Sequence, residues 1–138
     1  MAKLTGRVAA ESQIPRASIT EPALLIRINQ SYRDGMSRRD LYDATRGVWR
    51  LGPNRERAHL ALAVHRGVVL EVYEVHEWHP GTSTAYAKRT FDDPRAKERW
   101  EFTGTEAGES VRQKYVGKSV AHYFKRGHQS PVVYVNVK

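Results

Sequence analysis

The C-terminal part of the chain carries Lys and Arg but no Asp or Glu from Ser110 to Lys138. Its apolar spacing predicts a helix over residues 111–125. The predicted apolar side consists of Val116, Val120, Tyr123 and Phe124. The opposite side consists of Lys114, Lys118, His122 and Lys125, with Tyr115 beside them. A stripe of one charge sign is typical of a polyanion contact, because each Lys neutralises a phosphate and releases its counterions. The alternative is an ordinary solvated helix face. The predicted nucleic-acid contacts in this part are Lys114, Tyr115, Lys118, Lys125 and Arg126.

Three tryptophans form a second set of candidates. Trp49 follows a predicted helix, Trp78 ends a predicted long strand, and Trp100 lies inside another strand. An aromatic face can stack on a base that has left its helix, while nearby polar groups hydrogen-bond the base. We expect Trp100 to belong to the core, as large aromatic side chains usually do. For Trp49 and Trp78, core packing and base stacking stay open. Candidate polar partners of the base are Arg46, Arg50 and Asn136.

The sequence offers fewer candidates for catalysis than for nucleic-acid binding. Glu74 and His76 share one face of the long predicted strand, and such a pair could act as acid and base in a hydrolase. No third ligand accompanies the histidines, so we expect no metal site, and no cofactor motif is present. The run Tyr115–Ser119 is not a phosphate-binding P-loop, because Arg112 occupies the position of the required upstream glycine. Whether the chain is an enzyme stays open, and binding is the simpler interpretation.

Composition favours a basic, single-domain protein. The 138 residues carry a formal charge of +8, a sequence pI near 10.0 and no Cys. A charge of this size attracts polyanions, and nucleic acid is the commonest polyanion in a cell. The absence of Cys excludes disulfides and thiolate chemistry. No apolar run is long enough for a membrane span, and the N-terminal residues lack a secretory apolar core. We therefore expect DNA or RNA as the partner, no membrane, and a cytoplasmic location.

The elements that must position these residues follow from periodicity and turn signals. Residues 1–22 are predicted to be a flexible or surface-laid tail, and residues 23–138 a single domain. Two β-rich runs around Arg66-Gly67 predict a hairpin. The other predicted elements are strands at 23–29, 86–91, 99–104 and 131–137 and helices at 36–46 and 111–125. This order predicts an α+β fold with a small curved antiparallel sheet, or a small β-barrel, and two main flanking helices.

An ordered set of segments resembles the accessory C-terminal domain of bacterial GIY-YIG nuclease-like proteins. The matching segments are Leu41–Gly52, Ala61–Val64, Gly67–Val69, Arg99–Phe102, Lys114–Val120 and Pro131–Asn136. The similarity spans about residues 23–137, but the GIY-YIG core itself is missing. Nuclease activity is therefore not carried over. The resemblance implies an accessory domain used alone, with a separate nuclease as a candidate protein partner.

The glycine-turn hairpin, the Trp at the strand end and the final apolar strand also resemble the PUA-like group, which includes the ASCH and EVE domains. Members of that group are small β-barrels with flanking helices, and many bind RNA or modified DNA bases. This likeness rests on element order and size, which does not settle function. Together, charge, aromatics and resemblance predict a nucleic-acid-binding module that reads modified or flipped-out bases. The alternatives are a hydrolase that uses a His/Glu pair and a protein-interaction subunit of a separate nuclease.

Overall fold

The computed structural model of the chain describes residues 14–138. The strands there are β1 (Ala23–Arg27), β2 (Leu60–His65), β3 (Val68–Pro80), β4 (Trp100–Glu106) and β5 (Val132–Val135). The α-helices are α1 (Arg38–Arg46) and α2 (Glu109–Tyr115). Three short 3₁₀ helices accompany them at Pro53–Arg57, Pro94–Glu98 and Ala121–Tyr123. The α+β class, with a small curved sheet and two flanking helices, is thereby confirmed.

The five strands form one mixed sheet in the order β4-β3-β2-β1-β5. All neighbours are antiparallel except β1 and β2, which are parallel because α1 lies in the crossover between them. Register shifts in β2–β3 and β3–β4 mark β-bulges, which increase the local bend and twist of the sheet. The sheet has two edges, β4 and β5, so the barrel alternative is wrong.

The hairpin and the first helix form as predicted. Arg66 and Gly67 turn the chain between β2 and β3 with φ values of 50° and 81°, the left-handed backbone that a tight hairpin turn requires. At the start of α1, the Ser37 side chain accepts a hydrogen bond of 3.0 Å from the Asp40 backbone N–H. The chain leaves α1 at Gly47, next to the edge of β4.

The sheet is buried on both faces. One face packs against α2, the segment after it and the chain preceding β1; its core includes Leu25, Leu62, Val64, Val72, Tyr115 and Val120. Residues 14–22 belong to the predicted tail, yet Ala17 and Ile19 are buried in this core. The other face packs against α1 and the segment that follows it; its core includes Leu24, Ile26, Ala63, Tyr73, Trp78 and Phe102. None of the helices in this described part is long and apolar enough to cross a membrane.

Two predicted elements are wrong. The helix over 111–125 ends at Tyr115, and Gly117 adopts a φ of 82°. Residues 117–120 are instead held by backbone hydrogen bonds to the start of β3 and to residues 15–17. Val120 is therefore buried in an extended segment, and Tyr123 and Phe124 are half-buried in and just after a short 3₁₀ turn. The predicted basic helix face does not exist. Residues 86–91, predicted as an edge strand, form a loop.

Candidate nucleic-acid interface

Trp49 is fixed beside the edge strand β4. Its backbone exchanges two hydrogen bonds of 2.8 Å with Trp100, the first residue of β4. Its indole Nε1 donates to the carbonyl of Thr45, in the last turn of α1, at 2.7 Å. The side chain is half-buried and packs against the core of the α1 face. These contacts set the plane of the indole and leave part of it accessible to a ligand.

Two cavities meet at Trp49, Gln129 and Pro131, with volumes of about 380 and 420 Å³. We call their union the Trp49 cleft. One cavity is lined by Arg27, Ile28, Asn29, Gln30, Ser31, Trp49, Gln129 and Pro131. The other is lined by Val48, Trp49, Arg50, Arg99, Gln129, Ser130, Pro131 and Val132. The second cavity thus joins residues next to the starts of β4 and β5, the two edges of the open sheet.

All the formal charge that lines the Trp49 cleft is positive. Arg27 donates to the carbonyls of His128 at 2.8 Å and Ser130 at 2.7 Å, so it ties the loop before β5 to the sheet. Arg50 is exposed and Arg99 half-buried. Within residues 14–138, neither of these two guanidinium groups takes part in an ion pair. Both can therefore meet an incoming anion without first losing an ionic partner.

Two other cavities of the described part carry mixed charges. One, of about 260 Å³, includes Asp40 and Asp43 with Lys88 and Arg89. The other, of about 520 Å³, includes Asp92 and Asp93 along its lining. Carboxylates at these positions would repel phosphate groups. The Trp49 cleft therefore differs from both in combining an aromatic ring with cations alone.

Arg46, a predicted nucleic-acid contact, lies in the interior. Its guanidinium donates to Asp43 at 2.8 Å, to Thr84 Oγ1 at 2.7 Å and to the Ala85 carbonyl at 2.7 Å. It also lies 3.7 Å from the centre of the Tyr86 ring. Only 2% of Arg46 is exposed, so its donors hold the loop after β3 and do not face solvent. Burial would raise the pKa of Asp43, but hydrogen bonds from the Ala87 N–H and two arginines hold it below its usual range.

Glu101 completes this interior network and was not anticipated from sequence. Its carboxylate is fully buried and accepts hydrogen bonds from the N–H groups of Thr82 and Thr84 at 2.8 and 2.7 Å. The hydroxyl groups of Thr84 and Tyr86 donate to it as well. Gly47 is required here because a Cβ at that position would lie 2.6 Å from the Cβ of Glu101. Glu101 stands between Trp100 and Phe102 on a strand, a position that gives no sequence signal of burial.

Trp78 is part of the core. Only 9% of it is exposed, and its ring meets Phe102 edge-on with centroids 5.4 Å apart. For Trp78 the sequence left core packing and base stacking open. The geometry places Trp78 among core residues and outside the lining of the Trp49 cleft. Trp100 is half-buried, and the guanidinium of Arg55 lies 3.3 Å above its ring.

The C-terminal candidates divide into engaged and accessible side chains. Lys114 donates to Thr20 and to Glu21, both at 3.1 Å, and the buried Tyr115 also donates to Glu21. The Asn136 amide donates to the carbonyls of Ile19 at 2.7 Å and Glu21 at 3.2 Å. These three candidates fasten the segment before β1. Lys118 is half-exposed, whereas Lys125 and Arg126 are exposed in the loop that leads to Gln129.

Glu74 and His76 are not hydrogen-bonded to each other in the described structure. Both are exposed, and a β-bulge intervenes between Val75 and Glu77. The ring of His76 lies 3.4 Å from the Thr105 hydroxyl, and no hydrogen bond joins it to Glu74. In the part of the chain that the structure describes, no group of His, Asp or Glu could hold a metal ion.

Of the sequence candidates, the Trp49 cleft brings together Trp49 and Arg50. It adds Arg27, Arg99 and Gln129, whose proximity depends on contacts between chain segments far apart in sequence. The place of Arg99 at the start of the predicted strand 99–104 was the single available signal. Comparison of the chain with protein-family models, with curated proteins and with solved structures gives no match. The two family resemblances therefore remain predictions.

Proposed function

We propose that this protein is a nucleic-acid-binding module that holds an unpaired base against Trp49 and the adjacent phosphates on Arg50 and Arg99. The observation that carries the proposal is the lining of the Trp49 cleft. There, a half-buried indole stands among arginines, and no Asp or Glu takes part. The net charge of +8 adds long-range attraction for a polyanion.

Two kinds of contact would contribute to binding in the Trp49 cleft. Stacking of a base on an aromatic side chain contributes about 1–3 kcal/mol, and it needs a base that is free of its own stack and pair. Each arginine that neutralises a phosphate adds affinity that falls with salt. Asn29, Ser31 and Gln129 supply amide and hydroxyl groups in the same cleft for the edge of the base. We extend the proposal to bases flipped out of a duplex, modified bases included, because flipping presents the same free face and edge.

The test is a binding measurement by fluorescence anisotropy with labelled single-stranded and double-stranded DNA and RNA, each with and without modified bases. Arg50→Gln should weaken binding to every sequence and reduce the salt slope of log affinity by about 0.7 for a single strand. Trp49→Leu should weaken binding by about 1–3 kcal/mol with an unchanged salt slope. The control for net charge is Arg38→Gln. Arg38 lies at the start of α1, its side chain is 83% exposed, and it is ion-paired with Glu106 at 3.8 Å.

The proposal is wrong if the wild-type protein binds none of these nucleic acids at low salt. It is also wrong if Arg38→Gln weakens binding as much as Arg50→Gln does, because affinity would then follow net charge alone. Melting temperatures of all variants separate loss of binding from loss of fold. The proposed role extends to a cytoplasmic location, where DNA and RNA are accessible.

A further inference from the structure

A second group of cations lies at the end of the sheet where β2 turns into β3. We call it the hairpin-end cluster; its members are Arg16, Arg66 and Lys118, and the imidazole of His122 lies beside Arg16. Ser119 joins its three chain segments, because it pairs with Arg16 on one side and with Val68 on the other. The N–H of Val120 donates to the carbonyl of Gly67 at 2.8 Å, and the N–H of Val69 donates to the carbonyl of Lys118 at 3.0 Å.

The hairpin-end cluster adjoins the Trp49 cleft. The N–H of Arg66 donates to the side-chain oxygen of Asn29 at 2.9 Å, and Asn29 lines the cleft. A second connection is the chain itself, which runs from Lys118 to Gln129 and carries the exposed Lys125 and Arg126 on the way. Two routes with cationic side chains therefore connect the cleft with the hairpin-end cluster. One passes from Asn29 to Arg66, and the other passes along the chain through Arg126 and Lys125.

The charge along this path has one sign. Within the described residues, Arg16, Arg66, Lys118, Lys125 and Arg126 form no ion pair. The sequence holds no Asp or Glu between Ser110 and Lys138. Burial and then the positive charge of Arg16 lower the pKa of His122, so this imidazole adds no negative charge to the path. Two exposed cations elsewhere on the surface, Lys88 and Arg95, are by contrast paired with aspartates.

We propose that the ligand is single-stranded nucleic acid several nucleotides long, whose phosphates run from the Trp49 cleft to the hairpin-end cluster while one base occupies the cleft. This inference rests on the proposed function and specifies its substrate class. An unpaired strand suits the path because it can bend sharply at Trp49, whereas a duplex has a persistence length of about 150 base pairs. A basic track combined with an aromatic platform is the usual arrangement for single strands, with sites of about 4–16 nucleotides.

The test compares labelled oligothymidylates of about 4 and about 16 nucleotides, which span that range of site sizes. The variant is the double substitution Arg66→Gln with Lys118→Gln. The control for net charge is Arg38→Gln with Arg95→Gln, which removes two exposed arginines that are ion-paired with Glu106 and Asp93. A single-strand contact changes log affinity by about 0.7 per tenfold change in salt, so one contact raises affinity about fivefold at 0.1 M salt if it contributes nothing at 1 M salt. The double variant should therefore bind the longer oligonucleotide about 25-fold more weakly, with a salt slope flatter by about 1.4. Its affinity for the shorter oligonucleotide should equal that of the wild type.

Three results would overturn the inference, and they differ in what else they remove. If the double variant binds the longer oligonucleotide like the wild type while Trp49→Leu weakens both lengths, the track is wrong and the proposed function survives. If a blunt duplex competes as well as the longer single strand, the substrate class is wrong. If the wild type binds neither length at low salt, the track is wrong, and the proposed function fails with it only if the other DNA and RNA probes are not bound either. Melting temperatures check that both double variants remain folded.

Discussion

Replacing Glu101 by Gln tests the interior network that holds the loop between β3 and β4 beside the Trp49 cleft. The carboxylate accepts four hydrogen bonds, two at each oxygen, and none of its surface is exposed. A glutamine has the same shape but presents an amide N–H₂ where one oxygen stood. At either oxygen position the amide N–H₂ group would face a backbone N–H, which can donate a hydrogen bond but cannot accept one.

The geometry sets the size of the effect. At one oxygen the Tyr86 hydroxyl can rotate and accept, but the Thr82 N–H loses its partner. At the other, the Thr84 N–H loses its partner, and the Thr84 hydroxyl already accepts from Arg46. One orphaned buried N–H costs about 1–3 kcal/mol. The remaining bonds lose their ionic character, at roughly 1 kcal/mol each. We expect Glu101→Gln to lower the free energy of unfolding by about 3–5 kcal/mol.

The assay is equilibrium unfolding in urea, with the slope m as a check that the transition stays cooperative. The matched control is Glu98→Gln, the same chemical change at an exposed residue just before β4, which should alter stability by less than ~0.5 kcal/mol. A double-mutant cycle with Thr84→Ala should show a coupling of about 0.5–3 kcal/mol, since the two side chains are in contact. Equal stabilities of the Glu101→Gln and Glu98→Gln variants would refute this reasoning.

Two further predictions follow from other contacts. Trp78→Ala should destabilise the fold by about 3–5 kcal/mol, since Trp78 packs on Phe102, while the folded fraction keeps wild-type affinity for nucleic acid. Lost affinity at unchanged melting temperature would instead return Trp78 to the binding site. Burial raises the pKa of Glu21, but hydrogen bonds from Tyr115 and Lys114 outweigh it and lower the pKa from 4.5 to about 2. Its stabilising contribution is therefore complete above pH 4.5 and is lost as the pH falls to about 2, so unfolding curves of wild type and Glu21→Gln should converge in that window. A constant difference across the window would contradict it.

Local patterns predicted those elements whose stability is itself local. The hairpin needed only two β-rich runs and the Arg66-Gly67 turn, and α1 needed only its Ser37 cap and the glycine at its end. The helix over 111–125 failed because its apolar spacing also fits an extended segment followed by a short turn. Backbone pairing of Lys118 with Val69 favours the extended form, and that partner is distant in sequence.

In the candidate site, too, local sequence features predicted some residues, and contacts between distant segments decided the others. Trp49 and Arg50 were predicted from residue type and from their place after a helix. Arg46 has the same chemistry and the same neighbourhood, but its position in the helix turns it towards Asp43 and the loop after β3. Arg27 and Gln129 line the cleft together because β1 pairs with β5. No local sequence pattern predicts that pairing. Residue type therefore indicated the kind of ligand, and tertiary contacts decided which cations can reach it.

Photo-cross-linking tests the central claim most directly. A short single-stranded oligonucleotide that carries 5-iodouridine would be irradiated in complex with the wild-type protein, digested with trypsin and mapped by mass spectrometry. Arg46 and Arg50 bracket Trp49, so trypsin releases the peptide Gly47–Arg50 around it. The account predicts that the cross-linked base is found on Trp49 in this peptide. Cross-links spread over the exposed basic loops, with none on Trp49, would contradict it.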